Sequence, residues 1–61
     1  MKTDIYLNYK LYAARKWDGV PRAGDLIQLG IDLFVVEMVV WCDPDNEDLV
    51  NLFVIRYKPK T

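Results

Sequence analysis

The sequence predicts an all-β domain, either a small barrel or a strongly bent antiparallel sheet. Three observations carry this. Apolar and polar side chains alternate at period two over residues 5–13. Residues 33–42 and 49–57 are rich in Val, Ile, Phe and Tyr, which fit a pleated surface. Clusters of Gly, Pro, Asp and Asn punctuate the apolar stretches, and no convincing helical pattern intervenes.

The elements follow in order. Residues 5–13 put Ile5, Leu7, Tyr9, Leu11 and Ala13 on one face and Tyr6, Asn8, Lys10 and Tyr12 on the other. That spacing predicts one long strand, bending near Ala13 and Ala14. Residues 15–25 hold two Gly, one Pro and two Asp, and predict an irregular connection of a length that is often functional in small domains. Pro21 biases Val20 toward extended backbone. A short strand over 25–29 leads into a tight turn at 30–32, where Gly30 tolerates positive φ. Residues 33–42 form the most β-prone strand. Residues 43–48 form a turn with Pro44 at its second position, residues 49–57 the last strand, and residues 58–61 a frayed tail. The chain reads as one domain over residues 1–61. A six-stranded barrel does not fit this length; a five-stranded SH3-like barrel does, with 15–25 as its long first loop.

So short a chain is energetically tight. Folding removes apolar surface worth roughly 90 kcal/mol, and ordering the 61 residues costs roughly the same. A single Cys makes no internal disulfide, and one Cys without His makes no structural zinc site. Association is the remaining standard remedy, so a homodimer is expected. Asp4, Asn8 and Lys10 interrupt the first ten residues, which predicts no secretory leader. The apolar runs are too short to span a bilayer, and a lone thiol suits a reducing cytoplasm.

The net charge of −1 conceals segregation. Residues 1–22 carry five basic and two acidic side chains, residues 23–55 seven acidic and no basic ones, and residues 56–61 three basic ones. Such a field can steer a partner.

Residues 33–42 are apolar on both faces. Phe34, Val36, Met38, Val40 and Cys42 share one face at period two, and Leu33, Val35, Glu37, Val39 and Trp41 the other. A half-solvated sheet should alternate cleanly. Leu33, Val35, Val39 and Trp41 are therefore the expected self-association patch, with Trp41 its most buried member. A tightly curled barrel covering this strand within one chain is the alternative.

Catalytic chemistry finds little support. The chain holds neither Ser nor His, which excludes a Ser-His-acid triad and leaves Cys42 without a base. Cys42 continues an apolar face and reads as a packed thiol. Glu37 is the single mid-strand carboxylate and is expected at a rim, or paired with Arg56 or Lys10. The acidic run 43–48 lacks the Gly and Glu of an EF-hand at their places. Gly24 and Asp25 make no phosphate loop. No metal or cofactor is expected. The best local signal is the basic-aromatic stretch Arg15, Lys16, Trp17 and Arg22, where an indole among cations suits a protein contact or a stacked base. If Trp17 instead caps the barrel, those cations are simply solvated.

Pro21-Arg22-x-Gly24-Asp25, followed by a short strand, a Gly turn and Phe34-Val-Val-x-x-Val-Val-Trp41, resembles short uncharacterised phage and bacterial proteins with SH3-like barrels. The resemblance covers about a third of the chain. It implies a compact interaction module of phage or mobile-element origin, and antagonism of a host system as its role. Residues and resemblance together predict a non-enzymatic protein-binding module. A small nucleic-acid or nucleotide binder using Arg15–Arg22, and a subunit of a larger assembly with the two-faced strand as its socket, are the alternatives.

Overall fold

A computed structural model describes residues 1–42 and 49–59. The described residues form five strands: β1 (Lys2–Leu7), β2 (Lys10–Lys16), β3 (Leu26–Leu29), β4 (Asp32–Trp41) and β5 (Leu49–Arg56). They build one sheet in the order β2-β1-β5-β4-β3, curled through 204° into a half-barrel. The all-β, strongly bent architecture is the expected one. The expected turn at residues 43–48 lies outside the described residues. No helix among the described residues is long and apolar enough to cross a membrane.

Strand direction alternates along the chain. The first and fifth strands therefore run the same way, and β1 pairs with β5 in parallel. The other three ladders are antiparallel. The order is that of a five-strand ring with one ladder missing, between β2 and β3. Residues 17–25 span that opening.

The single long strand expected over 5–13 is two strands of a hairpin. Asn8 (φ 54°) and Tyr9 (φ 64°) are both left-handed, and Leu7 pairs with Lys10 around them, the geometry of a type I′ turn. Period-two alternation continues through a two-residue turn, so periodicity alone does not reveal it. The 15–25 connection shortens accordingly, because Arg15 and Lys16 belong to β2, and it is the second connection of the chain. Gly30 (φ 64°) makes the expected tight turn between β3 and β4.

Two bulges redirect side chains. In β2, Ile5 faces Ala13 and Tyr6 faces Leu11, leaving Tyr12 as the extra residue. In β4, Val36 faces Val54 and Met38 faces Phe53, leaving Glu37 extra. Alternation flips across such a residue. Phe34, Val36 and Val39 thus lie on the inner face with Trp41, while Leu33, Val35, Met38 and Val40 lie on the outer face.

The inner face carries the core: Ile5, Leu29, Phe34, Val36, Val50, Leu52 and Val54 are buried. Phe34 is its largest member. Tyr12 reaches it across the half-barrel with ring centroids 5.3 Å apart, and the Arg56 guanidinium stands 5.5 Å from the ring centre. Thr3 is fully buried, and its Oγ1 has no hydrogen-bond partner among the described residues.

Candidate interaction surfaces

The structure distributes the expected site residues over four places. Arg15 and Lys16 project from edge strand β2, where Lys16 faces Lys2 and the Arg15 guanidinium donates to the Ala14 carbonyl at 2.8 Å. Trp17 is half-buried and packs against the core. Its backbone is tied to Met1 both ways, by Trp17 N–H to the Met1 carbonyl at 3.0 Å and the N-terminal ammonium to the Trp17 carbonyl at 2.8 Å. The indole thus packs against the core. Arg22 lines a different groove from Arg15 and Lys16.

The patch expected from Leu33, Val35, Val39 and Trp41 is not one surface. The Glu37 bulge leaves Leu33 and Val35 outside and turns Val39 and Trp41 to the inner side. Val39 packs against the core. Trp41, expected to be the best covered of the four, is 62% exposed.

Trp41 and Val39 instead meet the loop. With Val20, Pro21, Arg22 and Ala23 they line a groove of about 400 Å³ at one end of the half-barrel. Local chemistry shapes its wall. Arg22 to Asp25 form a turn closed by Asp25 N–H to the Arg22 carbonyl at 3.0 Å, and Gly24 supplies the positive φ (95°) that its third position requires. The Asp25 carboxylate accepts the Arg22 N–H at 2.8 Å. Gly24 N–H then donates to the Val36 carbonyl at 2.7 Å and fixes the loop to β4.

The outer face is the larger surface. Leu26, Val35 and Ile55 form one cross-strand row and Met38, Phe53, Tyr6 and Leu11 a second. Leu11, Leu26, Met38 and Ile55 are exposed, and no described element packs over them. Tyr6 stacks on Phe53 with centroids 5.1 Å apart and rings 17° from parallel. Tyr9 leans on the same ring at 5.7 Å and 47°. Glu37 stands beside them, around a hollow of about 40 Å³. Of the places expected for Glu37, it takes an exposed one, while Arg56 Nη1 lies 3.6 Å from Asp32 Oδ2. The bulge turns Glu37 away from Arg56, whose strand partner is Phe34.

Cys42 is a free, half-buried thiol just past the end of β4. Among the described residues no cluster of His, Cys, Asp and Glu could hold a metal ion. Neither a family model nor a curated protein nor a solved structure matches the chain. The resemblance to phage and bacterial SH3-like proteins therefore rests on the sequence pattern alone.

Proposed function

We propose that the chain is a non-enzymatic protein-interaction module that pairs with a second copy of itself. The β3–β4 half of the outer face, with Leu26, Leu33, Val35, Met38 and Val40, is the contact. The observation that carries this reading is a one-layer sheet whose second face holds rows of apolar side chains with no described element over them. Contiguous exposed apolar surface on a small soluble domain marks an interaction site.

The exposed apolar side chains argue for a second copy: Leu26, Leu33, Met38 and Val40 all stand exposed on this half of the outer face. A two-fold contact places the same patch on both sides, so one apolar surface suffices for both partners. The absence of Ser and His from the chain supports the non-enzymatic part.

Sedimentation equilibrium at micromolar concentration tests the reading. A dimer is expected for the unaltered protein and a monomer for Val35→Lys, which places an unpaired charge in a dry contact. A single monomeric species with a melt independent of concentration would overturn it.

A further inference from the structure

We propose that the hollow formed by Tyr6, Tyr9, Phe53 and Glu37 is a binding site for an alkylammonium cation, presented as a lysine side chain by a partner protein. The lysine source rests on the interaction-module reading; the cation site stands on its own geometry.

The wall chemistry selects a cation. Three aromatic residues line the hollow beside Asn8, Val54 and Ile55, with Tyr6 stacked on Phe53 and Tyr9 inclined to Phe53. Ring faces carry partial negative charge and attract ammonium groups. Glu37 is the single carboxylate on the lining, and no ion pair among the described residues engages it. The volume, about 40 Å³, holds a group a few water molecules in size. That is the scale of an ammonium head.

The backbone supplies a second line of argument. A type I′ turn favours Gly at its second central position, yet this chain keeps Tyr9 there at φ 64°. The ring so held is 82% exposed, so burial gives little back for the strained conformation. Glu37 is likewise the extra residue of a bulge, a device that re-aims a side chain near sites. Two separate irregularities, on different strands, thus direct an aromatic ring and a carboxylate to one hollow. Unfavourable backbone conformations persist where a site uses them.

Proton NMR titration with Nα-acetyl-lysine amide tests this, with its Nε-acetylated and therefore uncharged form as control at matched ionic strength. Saturating shifts of the Tyr6, Tyr9 and Phe53 ring protons are expected at millimolar dissociation constants, with none for the uncharged form. Glu37→Gln should weaken binding at least fivefold. Tyr9→Gly should abolish it while the amide spectrum stays that of the folded protein. Absence of shifts up to tens of millimolar, equal shifts with the uncharged form, or unchanged affinity in Glu37→Gln would overturn the site. Saturable binding by a chain that sediments as a monomer and captures no lysine-bearing protein would retain the cation site and remove only its lysine source.

Discussion

Tyr9 offers the sharpest test of the backbone argument, because its two simplest replacements separate strain from contact. Its left-handed conformation costs an L-residue about 1–2 kcal/mol. Tyr9→Ala keeps that cost, whereas Tyr9→Gly removes it. Glycine returns roughly 0.5–1 kcal/mol through the greater freedom of its unfolded chain. Both variants lose the same tilted contact with Phe53, so that contribution cancels between them. The glycine variant should therefore be the more stable, by about 0.75 kcal/mol at mid-range, or roughly 3–6 °C in Tm for a domain of this size. Thermal melts followed by circular dichroism, at one fixed protein concentration, measure the difference. If the alanine variant melts at or above the glycine variant, residue 9 is not left-handed in solution. The strain argument for the hollow then fails with it.

Other expectations concern the core and the two faces. Phe34→Ala removes the largest fully buried side chain and should cost roughly 3–5 kcal/mol, a large part of a small domain's stability; denaturant titration should show little or no cooperative transition. Thr3→Val replaces a buried hydroxyl that lacks a partner and should stabilise by about 1 kcal/mol; a lowered denaturation midpoint would show that the hydroxyl is hydrogen-bonded in solution. Val35→Lys and Val39→Lys should behave oppositely, since the bulge puts Val35 outside and Val39 against the core. The first should keep a cooperative melt and the second lose it, and equal melts would show that the alternation does not flip at Glu37.

Much of the fold was legible in the sequence. The strands at 25–29, 33–42 and 49–57 needed only composition and turn residues, and Gly30 marked its own turn. The first hairpin was hidden for a specific reason. A two-residue turn preserves period two, and the usual Asn-Gly signal is here Asn8-Tyr9, so the aromatic residue read as part of a strand. Asn8 was the one available clue, since Asn tolerates the left-handed region better than most residues. The bulges were hidden too. Nothing in Val-Val-Glu-Met-Val-Val says that Glu37 is extra, because that depends on how β5 aligns against β4. The self-association patch failed as a surface for this reason alone: a correct count of residues was carried through a position where the count slips by one. The apolar character of the second face was nevertheless legible, and it survives in Leu33 and Val35 joined by Met38 and Val40.

The missing ladder between β2 and β3 bears on how copies of the chain could meet. An open ring has two free edges, and an unprotected edge invites strand-to-strand pairing. Both edges are blunted. The β3 strand has only four residues. The β2 strand carries Lys10, Arg15 and Lys16 and the Tyr12 bulge, and the Arg15 guanidinium occupies the Ala14 carbonyl. Positive charge, shortness and bulges are the means by which sheets discourage edge pairing. Between the edges, Trp17 and Val20 of the connecting loop pack against the core. Among the described residues none packs over the outer face, where apolar side chains stand in rows across the strands. One edge that is charged and bulged and another that is short, beside an outer face with rows of apolar side chains, favour face-to-face over edge-to-edge contact in the pairing proposed above.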